Sequence, residues 1–131
     1  MVNPEHKRRI LIVDDSRTMR RMVATALAKI DQCKFEEAAN GLEAIERLVL
    51  GPPDLMILDL NMPEMHGIDV LKFVRTRPRY QTLPVVVLTT KGEESIQREA
   101  MAAGASLYLT KPFASGELEA KVRGLLAEAG K

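Results

Sequence analysis

The stretch ILIVDDS (residues 10–16) decides how the rest of the chain is read. Ile10 to Val13 reads as a short buried strand, and it runs into two adjacent carboxylates, Asp14 and Asp15. Like charges side by side repel, and neither can be buried unpaired at low cost. The pair must therefore face water, a basic partner or a cation.

Working outward, β-rich runs alternate with helix-period stretches. After the pair, Met19, Met22, Val23, Ala26, Leu27 and Ile30 recur at the spacing of one helix face. KFEEAA is a weak second strand, and GLEAIERLVL a second helix stopped by Gly51-Pro52-Pro53. DLMILD is a third strand, apolar throughout, as expected when helices cover both faces. Ile68 to Thr76 makes a third helix, RPRYQTLP a loop and VVVLTT a fourth strand. Ser95 to Ala103 is a fourth helix, alanine-rich and poorly amphipathic; SLYLT is a fifth strand. The last helix carries Leu118, Val122, Leu125, Leu126 and Ala129 on one face. Five strands alternating with five helices predict an α/β, doubly wound parallel sheet with right-handed crossovers.

The bulk numbers agree. The 131 residues suit one domain, residues 1–131 with a core of about 8–129, and no fused output domain is expected. Hydrophobic content of 46% and charged content of 28% fit a chain that buries a core and stays soluble. Nineteen basic and 18 acidic residues leave a net charge of +1, which gives no global reason to expect nucleic-acid binding. HKRR (residues 6–9) reads as a solvated flank. Cys33 is the only cysteine, so an intrachain disulfide and a cysteine zinc site are excluded. The apolar runs fall short of a membrane span or a signal segment, and a cytoplasmic protein is expected.

In such sheets ligands bind beyond the carboxyl ends of the strands. Strand one leads to Asp14 and Asp15, strand three to Asp59, strand four to Thr89 and Thr90, and strand five to Lys111-Pro112. Each has an ordinary alternative. The Asp pair could cap the next helix, Asp59 could sit in a turn, Thr89 could be a plain strand residue and Lys111 could face solvent. Jointly they bring three carboxylates, a hydroxyl and an ammonium to one rim. Oxygen-only ligands of that charge favour Mg²⁺ over zinc. With an ammonium and a hydroxyl beside a carboxylate nucleophile, the set suits a phosphoryl group.

ILIVDDS, DLMILDLNMPEMHG, LPVVVLTT and GASLYLTKPF resemble receiver domains of two-component response regulators, from Ile10 to the last helix. VDDSRTMRR and the Tyr108–Phe113 segment look like the stand-alone chemotaxis regulators. The resemblance implies a flavodoxin-like strand order 2-1-3-4-5. It implies Asp59 as phosphoacceptor from a sensor histidine kinase or phosphotransfer protein. Asp14, Asp15, Asp59 and the backbone carbonyl of Asn61 would hold Mg²⁺. Lys111 would contact the phosphoryl group, and Thr89 would donate its hydroxyl and move on activation. Tyr108 would be the aromatic switch, and Lys111-Pro112 a cis peptide. The downstream effector protein would read the fourth helix, fifth strand and fifth helix. Only self-phosphorylation and self-dephosphorylation are expected, so the chain is not an enzyme on a separate substrate.

Some positions depart from the family pattern. His66 stands where Asp is usual and reads as a solvent-facing loop residue; Gly67 is expected at positive φ. Thr90 stands where a smaller residue is common, and with Asn61 and Lys91 it flanks the site and would tune phosphoryl lifetime. Glu93, Glu94 and Gln97 open the fourth helix, which counts against a flagellar-motor partner. Phe73 reads as core and Tyr80 as a loop anchor. The alternatives are a Mg²⁺-dependent aspartyl-phosphate phosphatase, a receiver excised from a larger regulator or hybrid kinase, a nucleotide or flavin binder, and a constitutive interaction module. Asp59-Leu60-Asn61 lacks the second acid of the phosphatases, and no Gly-rich phosphate loop follows the first strand.

Overall fold

The computed structural model describes residues 7–62, 65–90 and 94–129. Lys91, Glu93, His6 and the side chain of Ala129, all read in the sequence, lie outside what it describes. The strands are β1 (Arg8–Val13), β2 (Cys33–Ala38), β3 (Leu55–Asp59), β4 (Val85–Thr90) and β5 (Leu107–Lys111). The helices are α1 (Arg17–Leu27), α2 (Gly41–Leu50), α3 (Gly67–Thr76), α4 (Glu94–Ala102) and α5 (Ser115–Ala129). A single 3₁₀ turn, Pro78–Tyr80, sits in the segment read as a loop. All strand pairs are parallel, in the order β2-β1-β3-β4-β5. The order reverses between β1 and β3, so the switch point lies over the ends of those strands.

Local chemistry explains the elements. Every residue of β3 is buried, because helices cover both faces of the sheet. Ser16 caps α1 by accepting from the Met19 amide. Asn40 caps α2 by accepting from the Glu43 amide, and the Glu43 carboxylate reaches back to the Ala39 amide.

The period-2 alternation of the strands splits the core in two. Leu11, Val13, Met56, Leu58, Val85 and Val87 point to one side, against α2, α3 and Ala100 of α4. Ile10, Ile12, Leu55, Ile57, Val86, Leu88 and Leu109 point to the other, against α1 and α5. Asp59 and Lys111 continue the second set of rows, and Thr89 continues the first.

Several sequence expectations need correction. β1 begins at Arg8, and Arg9 is no solvated flank. It donates to both Glu36 carboxylate oxygens on β2 (2.9 and 2.8 Å) and to the Gly51 and Pro52 carbonyls. Met22 leaves the buried stripe of α1: it is 51% exposed, while Val23, Ala26 and Leu27 are buried. Gly67 does not take a positive φ. A Cβ there would lie 2.5 Å from the Asp59 carbonyl oxygen and 2.8 Å from Leu60 Cα, so close approach of backbone is what requires glycine. Phe73 is half-buried and stacks on Tyr80, whose hydroxyl donates to the Leu48 carbonyl. No helix among the described residues is long and apolar enough to cross a membrane.

Candidate functional site

The acidic cluster forms at the switch point. One carboxylate oxygen each from Asp14, Asp15 and Asp59 lies within 4.8 Å of the others. β1 delivers Asp14 and Asp15 just past its last residue, and β3 ends on Asp59. Asp14 and Asp59 are almost fully buried, whereas Asp15 is exposed.

Lys111 closes the cluster from β5. Its Nζ lies 3.0 Å from Asp59 Oδ1 and 3.2 Å from Asp14 Oδ2. The Lys111–Pro112 peptide is cis. Backbone amides complete the frame: Ser16 donates to Asp14 Oδ1 (2.9 Å) and Asn61 to Asp59 Oδ1 (3.1 Å). Arg20 donates to the Asp14 carbonyl and to Glu37, fixing the strand end from α1.

The electrostatics are unbalanced. Burial pushes the Asp14 carboxyl above the ordinary carboxylate range, and the Asp59 charge adds to this. The Ser16 amide and Lys111 oppose the shift without cancelling it. Burial also works against the Lys111 ammonium, but its hydrogen bond to Asp59 and the charges of Asp59 and Asp14 hold its pKa above the usual value. One ammonium thus faces three carboxylates. The remaining negative charge and the all-oxygen donor set fit a hard divalent cation such as Mg²⁺. Asp14, Asp15 and Asp59 are the side chains placed to hold it.

Around the mouth, Asn61 Nδ2 donates to Thr90 Oγ1 at 2.7 Å, joining the loop after β3 to the end of β4. Thr89 is buried and accepts from Gln97 Nε2. Tyr108 is 40% exposed and borders a groove of about 380 Å³ with Glu94, Gln97, Arg98 and Met101. His66 is exposed at the N-terminus of α3, with Nδ1 3.2 Å from the Leu60 carbonyl oxygen. Sequence reasoning brought Asp14, Asp15, Asp59 and Lys111 to one rim, and the fold joins them. It missed Arg20 and the partnership of Gln97 with Thr89. A basic residue one turn into the helix after an acid pair was the available signal for Arg20; none existed for Gln97.

Comparison with known proteins places this geometry in a family. The response regulator receiver domain family matches residues 10–123. Chemotaxis protein CheY1 of Helicobacter pylori is 37% identical over 119 residues, covering 90% of this chain and 96% of that one. The CheY homolog of Campylobacter jejuni is 35% identical over 119 residues, covering 90% and 92%. The solved structure of the chemotaxis response regulator CheY4 of Vibrio cholerae matches with a TM-score of 0.82 at 34% identity, covering 91% and 98%. With most of its length matched by the family and by relatives above a third identity, this chain belongs to the response regulator receiver domains.

Proposed function

We propose that the chain is a phosphorylation-driven signalling module whose phosphoacceptor is Asp59. The observation that carries this is the Asp14–Asp59–Lys111 bridge with Asp15 beside it: a carboxylate framed by a cation and two further acids. An Asp59 carboxylate oxygen attacks the phosphorus of a phosphohistidine on a partner kinase or phosphotransfer protein. The P–N bond breaks, and the imidazole leaves with the electron pair and takes up a proton. Lys111 and the Asn61 amide, both on Asp59 Oδ1, hold the carboxylate in place, and Lys111 offsets charge on the transferred group. Mg²⁺ bound by Asp14, Asp15, Asp59 and the Asn61 carbonyl would supply the rest of the charge neutralisation. Water attacking phosphorus later releases phosphate and restores the carboxylate.

The signal leaves through the sheet. A phosphoryl oxygen engages the Thr89 hydroxyl, and the shift passes to α4, Tyr108 and an effector protein on the α4–β5–α5 face. Moving such an equilibrium from mostly off to mostly on takes about 5.5 kcal/mol of differential stabilisation, part of which an effector supplies. Asn61 and Thr90, bonded across the mouth, flank the route of water. A cytoplasmic setting accords with the free Cys33 thiol.

The test is intact-protein mass after incubation with acetyl phosphate, with Mg²⁺ or with chelator, beside Asp59→Asn. One metal-dependent phosphoryl group, absent in the variant, supports the reading. A gain in the variant equal to that of the native chain sinks it.

A further inference from the structure

Asp14, Asp59, Thr89 and Gln97 are the buried polar residues among those described. The first two belong to the acidic cluster. The other two meet each other: Gln97 Nε2 donates to Thr89 Oγ1 at 3.1 Å, in a bond shielded from solvent. Thr89 is 0% exposed and Gln97 8%.

The position of this bond gives it leverage. Thr89 continues the row of Val85 and Val87, which faces α4, while Asp59 and Lys111 continue the opposite rows. Within α4, only Gln97 and Ala100 are buried. Ala100 supplies little packing and Ile96 is only partly buried against the core; among the described residues, Gln97–Thr89 is the hydrogen bond that ties an α4 side chain to the sheet. An element with so few buried contacts is easily displaced once a tie is broken. Gln97 also borders the groove beside Tyr108.

We infer that Gln97 is a positioning residue that latches Thr89 toward α4. Engagement of Thr89 by a phosphoryl group on Asp59 then requires this bond to break. The latch sets the population of the unsignalled state, and its release frees α4 and reshapes the groove under Tyr108. This rests on the phosphoacceptor reading of Asp59. A hydroxyl has one proton and two lone pairs. Holding a lone pair on the α4 side fixes the rotamer, so removing the amide donor frees the hydroxyl to turn.

The experiment is calorimetric titration of the Mg²⁺-loaded full chain with beryllofluoride. The proteins are the native chain, Gln97→Met, Gln97→Leu, Thr89→Ala and both Gln97 variants in the Thr89→Ala background. Methionine keeps length and apolar volume without a donor; leucine checks that side-chain shape is not the cause. The net value of a buried neutral hydrogen bond predicts about 3- to 10-fold tighter binding in each Gln97 variant. A tighter site is the opposite of what simple structural damage produces. In Thr89→Ala the gain disappears, because the latch has nothing to hold. Unchanged or weaker binding in both Gln97 variants, or a gain that persists without Thr89, overturns the latch while leaving Asp59 as acceptor. Failure of the native chain to bind beryllofluoride removes the phosphoacceptor reading and the latch together.

Discussion

Lys111 Nζ sits 3.0 Å from Asp59 Oδ1, although 52 residues separate them in the chain. The same ammonium reaches Asp14 at 3.2 Å, and both carboxylate side chains are only 2% exposed. Removing the cation leaves two buried acids with no counter-charge. In chelator, Lys111→Met is expected to lose about 3 kcal/mol of stability, read by urea denaturation. Added Mg²⁺ should recover part of the loss. A variant as stable as the native chain in chelator would show that the bridge contributes nothing to the fold.

Asp14 gives the opposite sign. Its carboxyl titrates above the ordinary range, first because it is buried and then because Asp59 is near. The unfolded chain therefore loses this proton at lower pH than the folded one. Between the two values the folded state binds more protons, so stability falls as pH rises through that window. Ionised Asp14 is therefore a cost to the metal-free fold. Asp14→Asn should raise the urea midpoint of the metal-free protein at neutral pH and abolish the further rise given by Mg²⁺. A lower midpoint in chelator would refute this.

Arg9 and Glu36 set part of the acid limb. The Glu36 carboxyl is held below its usual range, chiefly by the hydrogen bonds from Arg9. A depressed folded-state value contributes stability that is complete above the unfolded value and is lost as pH falls through the folded one. The pair is partly exposed, so its worth is about 1 kcal/mol. Glu36→Gln should be less stable by that amount at neutral pH, with the difference closing toward strongly acidic pH. A constant difference across the titration would point to packing and not charge.

Gly67 is needed for room. A methyl group there meets the Asp59 carbonyl and Leu60 Cα, neither of which can swing aside as a side chain could. Gly67→Ala should cost about 2 kcal/mol. It should also weaken Mg²⁺ binding, because the displaced backbone carries Asp59. Normal affinity with lowered stability would show that the strain relaxes into α3 alone.

Much of the fold could be read from hydrophobic pattern because β1, β3 and β4 are aliphatic runs covered on both faces. β2 and α4 were weak for a physical reason. β2 is an edge strand with half-exposed residues, and α4 buries only Gln97 and Ala100, so neither carries a strong period. Asp14, Asp15, Asp59 and Lys111 were legible because parallel strands put their carboxyl ends on one rim. Arg9 was misread since its partners on β2 and in the turn after α2 are remote in sequence. Met22 was misread since it sits at the margin of the α1 stripe, where spacing cannot tell a buried position from an exposed one. The Thr89–Gln97 bond depends on how α4 lies against β4, and no local pattern encodes that.

The alternation of the strands has a consequence for how such a module diversifies. Asp59 and Lys111 lie on the rows facing α1 and α5, and Thr89 lies on the row facing α4. With Asp59 as the proposed acceptor, the sheet becomes a partition with the reagents on one side and the message on the other. On that reading, substitutions at exposed α4 positions such as Arg98 and Met101, which do not touch Thr89, can rewrite who listens without touching how the phosphoryl group is handled. Thr89, at the rim where the partition ends, and Gln97, which bonds to it from α4, are where the two compartments meet.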